Sequence, residues 1–64
     1  MRTIGCYRAK GDVKDWQVFG SRNGKALTLS ECKALCQQWI DSGDWNFIAL
    51  MYMDSNRVIK YFRA

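Results

Sequence analysis

The segment that most constrains the fold is the last third of the chain, Phe47-Ile48-Ala49-Leu50-Met51-Tyr52-Met53, then Asp54-Ser55-Asn56, then Arg57-Val58-Ile59-Lys60-Tyr61-Phe62. Two apolar runs separated by polar turn residues read as a β-hairpin, and side chains alternate between its faces with period two. Both faces are apolar. A two-residue loop at Ser55-Asn56 pairs Met53 with Val58, Tyr52 with Ile59, Met51 with Lys60, Leu50 with Tyr61 and Ala49 with Phe62. One face then carries Ile48, Leu50, Tyr52, Ile59 and Tyr61. The other carries Phe47, Ala49, Met51, Met53, Val58 and Phe62, interrupted by Lys60. A one-residue change of register regroups these residues.

One helix is available to cover one of those faces. Thr28-Leu29-Ser30-Glu31 is a capping box, in which a threonine hydroxyl and a glutamate carboxylate satisfy each other's backbone amides. Leu27 and Cys32 occupy the flanking staple positions. Leu29, Cys32, Leu35, Cys36, Trp39 and Ile40 follow at helical spacing and form one apolar stripe. Gly43 fits the position just past the helix end. The helix is expected over 29–42.

Two strands precede it. Residues 3–9 put Ile4 and Cys6 on one face and Gly5 and Tyr7 on the other. Lys10-Gly11-Asp12 reads as a turn. Residues 13–20 put Trp16 and Val18 on one face and Asp15, Gln17 and Phe19 on the other. Asn23-Gly24 favours a tight hairpin turn, after which Lys25-Ala26-Leu27 folds back as a short strand or leads into the helix. The expected fold is α+β, a single domain over 1–64. Its order is β-β-(short β)-α-β-β, with an antiparallel sheet of four to five strands and one helix on one face. The expected core is Trp16, Val18, Leu29, Leu35, Cys36, Trp39, Ile40, Leu50 and Ile59.

Composition narrows the function. At 64 residues, 48% hydrophobic and 14% aromatic, the chain is too apolar for disorder. It is short enough that only about 60% of its unfolded surface can be buried. There is no histidine, so the commonest general acid/base and metal ligand is missing. No nucleophile, phosphate-loop or dinucleotide motif occurs. The chain reads as a non-enzyme with no catalytic residue, no cofactor and no small-molecule substrate. Cys6, Cys32 and Cys36 are an odd set for a disulfide framework. With no histidine to complete a zinc site, they read as reduced core residues in a cytoplasmic protein. No run is long and apolar enough to span a membrane.

The net charge of +4 suits an acidic partner. Basic residues concentrate in the strands and turns, and the helical segment is acidic. Aromatic residues, methionine and arginine are enriched at interface cores. The expected partner-binding set is therefore Phe47, Met51, Met53, Val58, Lys60 and Phe62, on the face that the helix leaves open. The partner would be a larger protein or a second copy, as a homodimer. The alternative is a nucleic acid, stacked on Tyr7, Phe19, Phe47 and Phe62 with Lys60 on phosphate. In its general build the chain resembles small accessory proteins of bacteriophages and mobile elements, which implies docking on a larger protein to modulate it.

Overall fold

The computed structural model describes residues 3–19, 21–22 and 25–64. Strands β1 (Ile4–Lys10), β2 (Val13–Val18), β5 (Phe47–Tyr52) and β6 (Arg57–Arg63) form one antiparallel sheet in the order β2-β1-β5-β6. Helix α1 (Leu29–Asp41) packs on one face of it, over β5 and β6. Short strands β3 (Ser21–Arg22) and β4 (Lys25–Ala26) pair only with each other. They stand apart from the sheet, so the fifth strand allowed for in the sequence reading does not join it. The Asn23-Gly24 turn lies outside the described residues.

The helix starts where the capping box predicts. The Thr28 amide donates to Glu31 Oε1 at 2.9 Å, and the Glu31 amide donates to Thr28 Oγ1 at 3.2 Å. It ends at Asp41, followed by a Schellman turn, with Asp44 N–H donating to the Trp39 carbonyl and Gly43 N–H to that of Ile40. Gly43 takes φ +82°, a conformation costly for any residue with a Cβ.

Cys6, Cys32, Cys36, Ile40, Ile48, Leu50 and Phe62 form the buried cluster between helix and sheet. Leu29, Trp39 and Ile59 pack against its edge. Cys36 sits among these residues wholly buried, as expected, with Ile40 and Leu50 beside it. Leu35 does not enter the cluster. It lies one helical position off the Cys32–Cys36–Ile40 line and lines a shallow depression of about 220 Å³ with Leu27, Ala34, Glu31 and Gln38.

Trp16 and Val18 are not core residues. They are 58% and 51% exposed, and the face of β2 turned toward the helix layer is the more polar one, with Val13, Asp15 and Gln17, Val13 itself being exposed at the strand's start. The reason lies on the neighbouring strand. Arg8 of β1 points to the helix side and needs Asp15: its Nε donates to Asp15 Oδ1 at 2.8 Å and its Nη2 to Asp15 Oδ2 at 2.6 Å. The guanidinium is stacked between two indoles, 4.7 Å from the Trp39 ring centre and 4.4 Å from that of Trp45. Phe19 stacks on Trp39 at 6.0 Å. Farther along β1, Lys10 Nζ donates to the Gly43 carbonyl at 2.7 Å. Two cations from one strand thus hold the negative end of the helix dipole against the sheet.

The C-terminal hairpin differs from the expected register. Tyr52 pairs with Arg57, so Met53-Asp54-Ser55-Asn56 form the turn, and Asn56 takes φ +55°. A β-bulge follows: Met51 pairs with Val58, but Leu50 pairs with Lys60. Ile59 is the extra residue. Up to Val58 the facing is as the sequence reading had it. Beyond Ile59 it is reversed: Tyr61 pairs with Ala49 and Phe62 with Ile48. Phe62 turns into the core at 4% exposure, and Tyr61 turns out of it at 53%.

Candidate functional site: the open face of the sheet

The registers place three rows of side chains on the face away from the helix. From β2 to β6 these are Val18–Gly5–Met51–Val58, Trp16–Tyr7–Ala49–Tyr61 and Lys14–Ala9–Phe47–Arg63. In each row the smallest residue sits on a central strand: Gly5, Ala49 or Ala9. The bulkiest exposed residues stand on the edge strands. The small central residues are covered by their neighbours, Ala49 and Met51 being buried, so the exposed apolar residues of this face line its two edges, Trp16 and Val18 on one and Tyr61 and Val58 on the other.

Met53 reaches back over this face from the β5–β6 turn. A Cβ built on Gly5 would stand 2.6 Å from Met53 Sδ and 2.8 Å from the Gln17 carbonyl oxygen. Gly5 is thus a glycine because another chain segment needs its space, and the Met53 amide, donating to the Thr3 carbonyl at 2.8 Å, fixes that approach.

Aromatic rings run across all four strands. Trp16 lies 5.2 Å from Tyr7, Tyr7 lies 6.3 Å from Phe47, and Phe47 lies 5.8 Å from Tyr61. The first two contacts are inclined at 60° and 63°, so these rings meet edge toward face. The Arg63 guanidinium lies 5.8 Å from the ring centres of both Phe47 and Tyr61.

The charges of this face are of one sign. Lys14 and Arg63 stand at the two ends of the third row, and none of the twelve row positions is a carboxylate. Asp15 is on the helix side, paired with Arg8. The contact lowers the Asp15 pKa from its usual 3.8, chiefly through the hydrogen bond it accepts from Arg8.

Four of the six residues expected at the contact surface share this region. Phe47, Met51 and Val58 occupy the rows, and Met53 lies across Gly5, but Met51 is buried at 8% exposure and offers a partner almost no surface, because neighbouring side chains cover the centre of the face. The other two do not join them. Phe62 is buried beneath the helix, and Lys60, paired with Leu50, extends on the helix side with its Nζ 5.1 Å from the Phe62 ring centre. The bulge at Ile59 separates the two groups. Phe19, grouped with Phe47 in the alternative reading, stacks on Trp39 on the helix side.

Sequence reasoning missed Trp16, Val18, Tyr61, Arg63 and Lys14 as members of the face. A signal for β1 was present: Gly5-Tyr7-Ala9 alternates with Ile4-Cys6-Arg8, and its small residues leave space that Met53 and the neighbouring rings fill. Tyr61 and Arg63 could not be placed without the bulge.

No significant match links the chain to a protein family, a curated protein or a solved structure.

The cysteines lie on the other side of the sheet. Cys6, Cys32 and Cys36 are free and fully buried. The Cys36 thiol is pushed well above its usual range, first by the hydrogen bond it shares with Cys6 and then by burial. Cys32 is raised by burial. Cys6 is lowered by the hydrogen bond from Cys36, against its own burial. Among the described residues, no group of three or more cysteines and carboxylates is arranged to hold a metal ion, and no helix is long and apolar enough to cross a membrane.

Proposed function

We propose that the protein is a non-enzymatic protein-binding module that docks on a larger protein through the open face of its sheet. The observation that carries this is the exposure of Trp16, Val18, Tyr61 and Val58 together on that one face. Single exposed apolar residues are ordinary, but two pairs on opposite edges of one face, joined by the half-buried rings of Tyr7 and Phe47, have the composition of an interface core. A chain of this size gains too little from its own core to leave such residues in water without use. Three buried free thiols suit a reducing compartment such as the cytoplasm.

A comparison of capture experiments tests the reading. Wild type and a Trp16→Ser/Val18→Ser/Tyr61→Ser variant are immobilised and exposed to the same host extract. A Gln38→Arg variant, altered on the exposed helix surface, serves as control. Proteins held by wild type and the control but not by the triple variant support the face as the docking surface. Identical retention by all three removes it, provided that circular dichroism shows the triple variant folded.

A second reading is favoured by one observation, the aromatic row flanked by Lys14 and Arg63. Such a surface suits a single-stranded nucleic acid, with bases on rings and phosphates on cations. Against it, the rings spend part of their area on one another, and Arg63 occupies the Phe47 and Tyr61 faces. The row Val18–Gly5–Met51–Val58 also offers nothing to a phosphate. Binding to an oligonucleotide that weakens steeply with salt would favour this second reading.

A further inference from the structure

The charges and dimensions of the open face narrow the kind of partner. We infer that its occupant is an acidic amphipathic helix of another protein, lying along the strands on this face with acidic residues on both flanks of its apolar stripe. This rests on the docking reading above and adds the partner's shape and charge.

The shape follows from the rows. They span three inter-strand gaps of about 4.8 Å, or about 14 Å from Lys14 to Arg63 along the backbone. A helix with its side chains is about 10–12 Å across. Its footprint matches the width of the face, where it would rest on Trp16, Tyr7, Phe47, Tyr61 and Met53, which cover Gly5 and Ala49. Strands of six residues run about 20 Å, which about 13 helical residues would match. The other face of the same sheet already holds a helix of 13 residues, α1. An added strand is the less suitable guest: one edge, β6, carries the bulge, and the other, β2, carries Lys14.

The charge follows from the third row. Lys14 and Arg63 stand at the same end of the face, one on each edge strand, with no carboxylate among the row positions. A second copy of this face has the same composition. Stacking two copies sets four cations into an apolar contact with no carboxylate among the row positions of either surface to meet them, an arrangement that costs affinity. A helix with glutamates or aspartates on both flanks meets each cation at the rim, where both partners stay hydrated.

The test uses isotope-labelled protein and two synthetic helix-stapled peptides of 14 residues. Both carry the same leucine/methionine stripe. One has glutamate on both flanks and the other lysine. The amide resonances of Trp16, Val18, Val58 and Tyr61 report on the face, and those of α1 serve as control. We expect the acidic peptide to shift the face amides and to bind about tenfold more tightly than the basic one. That ratio reflects attraction in place of repulsion at two partly hydrated pairs. The preference should shrink with added salt, vanish in Lys14→Gln/Arg63→Gln and reverse in Lys14→Glu/Arg63→Glu.

Equal affinity of the two peptides at the same amides would overturn the acidic partner and leave the docking face standing. An oligothymidylate that moves these amides at lower concentration than the acidic peptide would assign the face to nucleic acid. Concentration-dependent shifts of the same amides without any ligand would assign it to a second copy. No shift with either peptide, together with capture that does not depend on the face, would overturn both readings.

Discussion

Removing the guanidinium of Arg8 should loosen the helix end from the sheet and leave the open face unaltered. Its side chain is 12% exposed, forms a two-point contact with Asp15 and lies between Trp39 and Trp45. Each cation–π contact in a partly hydrated setting contributes about 0.5–1 kcal/mol. The buried stem adds packing that alanine cannot replace. We expect Arg8→Ala to cost about 2–3 kcal/mol, a large share of the total stability of a domain this small. In thermal unfolding that corresponds to about 10–20 °C. Arg8→Lys keeps a positive charge and most of the stem but loses the flat, forked group. It should therefore retain only part of the difference and cost about 1–2 kcal/mol. Urea denaturation followed by tryptophan emission measures both, since Trp39 and Trp45 report on the contact itself. An Arg8→Lys protein within about 0.5 kcal/mol of wild type would refute the reasoning, because the stacking geometry would then contribute nothing beyond charge. The acid limb offers an independent check. The folded-state pKa of Asp15 is depressed, so its contribution is complete above the ordinary carboxylate value of 3.8 and is lost as pH falls through the lower folded value. The difference in stability between wild type and Asp15→Asn should be flat near neutrality and disappear only in that acid range.

The remaining predictions concern the two faces and the thiols. Gly5→Ala should destabilise by about 1–3 kcal/mol in urea melts, because the Gln17 carbonyl cannot move away from the new methyl as a side chain could. Phe62→Ala should cost about 3–5 kcal/mol, enough to unfold much of the population in a two-dimensional amide spectrum, whereas Tyr61→Ala, one residue earlier and on the open face, should leave that spectrum dispersed. Ellman's reagent at pH 8 should find almost no reactive thiol in the native protein and three after denaturation; fast reaction in the folded state would contradict the burial of Cys6, Cys32 and Cys36.

Much of this fold was legible locally. The capping box at Thr28 and Glu31, the stripe through Cys32, Cys36 and Ile40, and Gly43 beyond the helix end are short-range signals, and each acts as its chemistry requires. The existence of four long strands was legible for the same reason. What failed was the assignment of faces, at two places. On β2, apolar Trp16 and Val18 invited a core assignment, but Arg8 on the neighbouring strand had already committed Asp15 and Gln17 to the helix side. That constraint is non-local and leaves no mark in the β2 sequence itself. On β6, alternation was read correctly up to Val58 and then reversed by an extra residue at Ile59, which period-two reasoning has no means to anticipate. The candidate site inherits both effects. Phe47, Met51, Met53 and Val58 were placed together, Lys60 and Phe62 were added in error of face, and the exposed edges at Trp16 and Tyr61 went unnoticed.

The bulge at Ile59 makes the two layers of the protein arithmetically dependent. Every residue after it is addressed to the interior or to the open surface by its count from that point, not by its own hydrophobicity. Phe62 and Tyr61 are nearly the same size and differ by one hydroxyl, yet one closes the core and the other stands exposed at an edge of the open face. In this strand, chain length carries more structural information than side-chain identity. Removing Ile59 would let Lys60, Tyr61 and Phe62 keep their partners without a bulge and leave both rings on their faces, whereas keeping Ile59 but pairing it with Leu50 would exchange the rings' roles at once; Phe62→Tyr would bring a hydroxyl into the apolar core at a cost of about 1–3 kcal/mol.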